Sequence, residues 1–227
     1  MNVLKMGTLH KESDINCQDA IGSYENRLKV VCDGCSEGKH SEVGAKLFCK
    51  MLVDKYANFA NKGKQFIDVP ALMITVMDEL VQLIGDNPED IKNYLSFTIL
   101  VAEKCPDSTY GYVHYCGDGY IIKEKDDYIS LDKLDCGEYP MYLAYNYIDG
   151  EYMREYKNGV RIETIEFESV GNIGVASDGI RFVADLDYDN PLRKEFMEIL
   201  ASGKDMKMRL FFNRNAKIFQ DDFSIAF

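Results

Sequence analysis

The chain has 227 residues, 46% of them apolar, and a formal charge of −12 from 26 Lys and Arg against 38 Asp and Glu. That length and hydrophobicity supply a sizeable core and exclude a disordered segment. The acidic excess repels phosphate backbones and anionic lipid, so neither nucleic acid nor a membrane surface is an expected partner. The start, MNVLKMGTLH, lacks the basic region and long apolar stretch of a signal peptide. No apolar run approaches the roughly 20 residues that span a bilayer. Seven cysteines at irregular spacing, several inside apolar strand-like runs, fit reduced thiols better than a disulfide framework. A cytoplasmic location is the expectation. With no repeat, low-complexity tract or linker, residues 1–227 are expected to form one domain.

In chain order, RLKVVCDG predicts a short apolar strand ending in a turn. Ser41 stands at an expected helix N-cap, ahead of helical spacing at Val43, Leu47, Met51 and Tyr56. A second helix is expected after Pro70, with Gly85 at its end. YLSFTILVAEK, YGYVHYCGDG, YIIKEKDD and YISLD are aromatic and β-branched segments separated by turn residues, and they predict an antiparallel meander. EYKNGVRIETIEF predicts a hairpin turning at Asn158-Gly159. NIGVASDG predicts another strand, a helical stretch runs over roughly 191 to 215, and DDFSIAF closes the chain as a strand. Met73, Met77, Met206 and Met208 fall in helical contexts and are expected in the core, and His114 reads as a satisfied histidine in a strand. Clustered strands and paired helices without βαβ alternation predict an α+β sandwich, antiparallel sheets inside and helices outside.

Five aspartates share one context, the end of an apolar strand beside a turn: Asp19 in NCQDA, Asp33 in VVCDG, Asp118 in YCGDG, Asp178 in VASDG and Asp221 in QDDFSIAF. Turn chemistry alone accounts for any single one. Five of them predict a carboxylate cleft at one edge of the sandwich, where a hard, oxygen-seeking cation relieves the mutual repulsion. Cys32 and Cys35 flank the Asp33-Gly34 pair and offer a competing reading as a zinc or redox site. Zinc needs a second Cys/His pair at matching spacing. A reactive Cys-x-x-Cys needs its first Cys at a helix start, the place Ser41 takes here. The Asp-Gly is therefore expected to carry the chemistry and Cys32 to pack as a small hydrophobe.

In their order, these segments resemble the metal-dependent serine/threonine phosphatases of the protein phosphatase 2C type (the PPM family). HKESDINCQDA resembles the opening motif, and VVCDGCSEGKHSEVGAKLF the strand, Asp-Gly, loop and helix segment. LSFTILVAEK resembles the small-residue–Thr strand, and YGYVHYCGDGYIIKEKDD the Gly-Asp strand pair. NIGVASDGI resembles the Ser-Asp-Gly motif and QDDFSIAF the closing strand. The likeness implies a four-layer α-β-β-α sandwich, two antiparallel sheets packed face to face with helix pairs outside. It implies two Mn²⁺ or Mg²⁺ ions, with Asp33 bridging them and Gly34 offering its carbonyl. Asp178 and Asp221 match ligands of the first ion, Gln18 and Asp19 the acidic pair near the second, and Asp118 the aspartate of a weaker third. Phe182 stands where many relatives place an acidic ligand of that third ion, so the expected complement is the core pair.

The implied reaction is attack on phosphorus by a water activated between ions roughly 3.5–4 Å apart, with no covalent intermediate. Asp33 and Asp178 are its implied catalytic residues. His10 is the candidate for gripping phosphate where relatives often use an Arg, and Cys35 replaces the His that follows the Asp-Gly in many of them. The implied substrate is a phosphoserine or phosphothreonine protein, opposing a Ser/Thr kinase. A phosphatase-shaped binding module without turnover, and a phosphatase of small phosphorylated metabolites, are the other readings. The retained Asp33, Asp178 and Asp221 argue against the first. The aromatic stretch EYPMYLAYNYIDGEYMREY is read either as a flap beside the cleft or as packing of a Tyr-rich sheet.

Overall fold

Period-two alternation in the strands decides the layering. The computed structural model describes residues 1–64, 66–106, 108–126, 128–135, 137, 141–148 and 159–227. Its strands are β1 (Asn2–Lys5), β2 (Ala20–Tyr24), β3 (Leu28–Gly34), β4 (Phe97–Lys104), β5 (Gly111–Cys116), β6 (Gly119–Lys125), β7 (Tyr128–Leu134), β8 (Glu163–Phe167), β9 (Asn172–Ala176) and β10 (Phe223–Ala226). Its helices are α1 (Thr8–Glu12), α2 (Ser41–Asn61), α3 (Val69–Ile84), α4 (Pro88–Leu95), α5 (Arg181–Ala184), α6 (Pro191–Ala201) and α7 (Asp205–Arg214). Two antiparallel five-stranded sheets form, in the orders β1-β10-β9-β6-β7 and β2-β3-β4-β5-β8.

Successive strand residues point to opposite faces, so each central strand feeds two cores. Val30 and Cys32 of β3 face α2, α3 and α4, whereas Val31 packs between the sheets with Leu100, Ile121 and Val175. Tyr120, Ile122 and Ile225 face the other way, onto Phe196, Phe211 and Phe212 of α6 and α7. Three apolar layers between four structural layers make the α-β-β-α sandwich. Among the described residues no helix is long and apolar enough to cross a membrane.

Several local expectations change. Ser41 is the first helical residue of α2 rather than its cap, and its hydroxyl donates to the Cys35 carbonyl at 2.9 Å. Asp68 caps α3 instead, accepting from Ala71 N–H at 3.0 Å, with Pro70 in the first turn. The predicted meander is divided between the sheets: β4 and β5 belong to one, β6 and β7 to the other. The helical stretch after 191 breaks into α6 and α7 at Gly203, whose φ of +62° suits a residue without Cβ. Met206, in the first turn of α7, is 68% exposed because that face meets solvent, while Met73, Met77 and Met208 are buried. Asn158 lies outside the described residues; β8, which follows, pairs with β5.

Among the described residues, a lysine is buried between the sheets. Lys29 of β3 donates to Asn172 Oδ1 (2.7 Å) and to the Ile173 carbonyl (3.1 Å). Burial pulls its ammonium down to about 8, with Glu124 pulling the other way. Below that value the folded state holds a charged, desolvated lysine. As pH rises from about 8 towards the ordinary lysine value, the unfolded chain binds more of that proton and stability is gained. Lys29→Met should therefore remove a rise in unfolding free energy between pH 8 and pH 10, read as the difference between urea titrations of the two proteins. Parallel pH profiles would refute this.

Candidate active site

Antiparallel pairing brings five chain segments to one edge of the sandwich. Cys32 pairs with Ala20, Ile99 with Cys116, and Ala176 with both Tyr120 and Ile225. Asp19, Asp33, Asp118, Asp178 and Asp221 each lie next to one of these strand ends, so the register alone gathers them. Two close backbone approaches hold the segments there. A Cβ on Gly34 would lie 2.8 Å from Ser41 Oγ and 2.9 Å from the Gln18 carbonyl; one on Gly179 would lie 1.9 Å from the Asp222 carbonyl. Only glycine permits either contact.

Asp19 is fully buried. Its Oδ2 accepts from Ser177 Oγ at 2.7 Å, and that hydroxyl accepts from Ser224 N–H at 2.9 Å. Its Oδ1 is buried without a donor, and the neighbouring Asp33 carboxyl can share a hydrogen bond with it only when one of the two holds a proton. Burial pushes Asp19 up to about 7 against the Ser177 and Ser224 side chains and the Asp33 carboxyl. Asp33 is driven well above the usual carboxylate range, by burial first and then by the charges of Asp19, Asp178 and Asp221. Its N–H is fixed by Thr98 Oγ1 at 3.2 Å. Burial also raises Asp178; Arg181 opposes that shift, and Asp118 and Asp221 add to it. The five predicted aspartates thus act on one another electrostatically, as carboxylates sharing a low-dielectric cleft must.

Among the described residues no three His, Cys, Asp or Glu side chains converge into a preassembled cage. Instead Asp33 stands between Asp19 and Asp178 and interacts with both, while Asp178 and Asp221 are joined through the Arg181 guanidinium. All the donors are hard oxygens, and one buried carboxylate oxygen lacks any partner. That set fits a hard divalent cation which completes its shell with carbonyls and water. It does not fit zinc, which favours nitrogen and sulfur.

Gln18 Oε1 is also buried without a partner, while its Nε2 donates to the Cys35 carbonyl and to Ser41 Oγ, both at 3.2 Å. His10, in the last turn of α1, has Nδ1 2.8 Å from Asp222 Oδ2. Asp222, absent from the sequence expectations, is the junction of the site: it also accepts from Gly7 N–H (2.7 Å) and Gln18 N–H (2.6 Å) while almost wholly buried. It ties the segment ahead of Asp19 to the strand that follows Asp221.

Two further residues were not anticipated. Arg181 pairs with Asp178 and Asp221. The buried Tyr142 shares a hydrogen bond with the Cys35 side chain, and burial followed by that bond pushes its phenol up. Tyr142 belongs to the aromatic stretch read either as a flap or as sheet packing, of which residues 138–140 and 149–156 lie outside the described residues. The cysteines do not act as a pair. Cys32 points into the helix-facing core, where it hydrogen-bonds Cys49, and Cys35 meets Tyr142.

A family model described as protein phosphatase 2C matches residues 6–211. The fold is similar to that of a bacterial serine phosphatase variant (16% identity, 99% of this chain and 95% of the other, TM-score 0.65). It is also similar to the serine/threonine phosphatase Stp1 from Staphylococcus aureus (16%, 99% and 92%, TM-score 0.61). A third similar structure is the catalytic domain of the serine/threonine phosphatase PstP in complex with two manganese ions (12%, 99% and 94%, TM-score 0.60). No curated protein sequence matches the chain.

Proposed function

Because this chain belongs to the protein phosphatase 2C family, we propose that it is a single-domain, metal-dependent phosphatase of phosphoserine and phosphothreonine in proteins, opposing a Ser/Thr kinase in the cytoplasm. The observation that carries this reading is the cleft of strand-end carboxylates in which Asp19 Oδ1 is buried with no donor. Asp19, Asp33, the Gly34 carbonyl, Asp178 and Asp221 would hold a pair of Mn²⁺ or Mg²⁺ ions, and Asp118 would belong to a weaker third site. When bound, such ions supply an activated water and neutralise charge on the phosphoryl oxygens.

The chain's own residues position and insulate this set. Ser177 fixes the orientation of Asp19, Thr98 holds the backbone of Asp33, and Asp222 anchors the loop bearing Gln18 and Asp19. Preorganisation of this kind spares the reorganisation that water would demand as charge develops. His10, held by Asp222, is assigned the role in phosphate contact in this reading.

The test compares hydrolysis of a phosphothreonine peptide with that of small sugar and nucleoside monophosphates, in Mn²⁺ with and without EDTA, for wild type and Asp178→Ala. EDTA-sensitive turnover favouring the peptide and lost in the variant is expected. Preference for the small phosphates would make this a metabolite phosphatase, and folded protein inert on every substrate would make it a binding module.

A further inference from the structure

The turn after Asp178 returns a cation onto the carboxylates. Asp178–Ile180 form a 3-10 turn that leads into α5, and residues three apart on such a turn are neighbours. Arg181 therefore folds back. Its Nη1 lies 2.5 Å from Asp178 Oδ2 and its Nη2 3.6 Å from Asp221 Oδ2, and its guanidinium carbon stands 5.1 Å from the Phe182 ring centre. The side chain remains 45% exposed at the mouth of the cleft.

A fixed guanidinium and a divalent cation cannot share these two carboxylates cheaply. Asp178 Oδ2, which accepts the Arg181 N–H, and Asp221 Oδ2, which pairs with it at longer range, are oxygens of the kind a hard cation coordinates, and the two positive charges repel at such range. We propose that Arg181 is a resident counter-ion which metal must displace from Asp178 and Asp221, so that it stabilises the metal-free cleft and weakens metal affinity. This rests on the reading of those aspartates as metal ligands. Arg181 is a positioning residue in this role. The exchange makes metal occupancy depend on cation concentration instead of remaining permanently saturated.

The experiment is calorimetric titration of Mn²⁺ into EDTA-treated, dialysed wild type, Arg181→Gln and Arg181→Lys, beside thermal melts of the three metal-free proteins. Arg181→Gln is expected to bind its tightest Mn²⁺ about tenfold more strongly, with a lower metal-free Tm that added Mn²⁺ restores. Arg181→Lys, a point charge without the planar fork, should fall between the two. Equal or weaker Mn²⁺ binding by Arg181→Gln overturns the inference and leaves the metal site standing. Absence of Mn²⁺ binding by all three folded proteins overturns the metal site and the inference together. If Arg181→Gln does not fold, Arg181→Lys decides: affinity no greater than that of the wild type contradicts the exchange.

Discussion

Asp222→Ala is expected to lower unfolding free energy by roughly 3–5 kcal/mol, the range for losing one partner of a buried charged network. The carboxylate receives Gly7 N–H, Gln18 N–H and His10, and alanine leaves two backbone donors buried without an acceptor. Against a typical net stability of about 5–15 kcal/mol, that is a large fraction. The loss should also reach the chemistry, because Asp222 fixes the residue immediately before Asp19. A displacement of about 1 Å in a reacting group can cost roughly a hundredfold in rate, so Mn²⁺-dependent turnover should fall at least that far in the folded fraction. Urea unfolding followed by circular dichroism measures the first effect, and turnover at low temperature the second. A change in unfolding free energy below about 1 kcal/mol would mean that Asp222 is not the junction described.

Asp33→Asn should move activity and stability in opposite directions. The substitution removes the carboxylate that stands between Asp19 and Asp178, and turnover should drop by about a thousandfold or more, beyond the effect of losing one preorganised donor. The metal-free protein, however, should become more stable. Asp33 is raised by burial and by three neighbouring carboxylates, so the native state holds its proton more tightly than the unfolded chain does. Its contribution is favourable at acid pH and is lost as pH rises through the raised value. Neutral Asn escapes that loss, so the gain in Tm should be larger at pH 8 than at pH 5 in EDTA-treated samples. A variant that melts below wild type at both pH values would show that repulsion does not dominate at this position.

The strand-end aspartates were legible because Asp33, Asp118 and Asp178 follow apolar runs and meet glycine while Asp19 and Asp221 stand just ahead of strands, and antiparallel register then had to collect them at one edge. The layered α+β architecture was legible for the same reason: period-two strands and 3.6-period helices occupied separate stretches of the chain. The assignment of strands to sheets was not. Nothing local in GYVHYC or GYIIKEK says that the chain changes sheet between them, since both alternate alike. Asp221 and Asp222 look equivalent in sequence, and only their placement at the start of β10 turns the second inward to three partners. Arg181 left a faint signal, its three-residue spacing from Asp178, which matters only once that stretch is known to turn. Tyr142 was marked only as one of many aromatics in the stretch read as flap or packing, because its contact with Cys35 joins residues far apart in the chain. The short α4 was overlooked since PEDIKNYL is mostly polar; Asn87 caps it and Pro88 starts it.

The most direct test of the carboxylate cleft as a metal-activated phosphatase centre is p-nitrophenyl phosphate hydrolysis by wild type and Asp33→Asn, in Mn²⁺ with and without EDTA. Steady turnover by wild type that EDTA abolishes, and that Asp33→Asn lacks at every Mn²⁺ concentration while remaining folded, is the predicted result. Turnover that survives EDTA, or an Asp33→Asn protein as active as wild type, would contradict it.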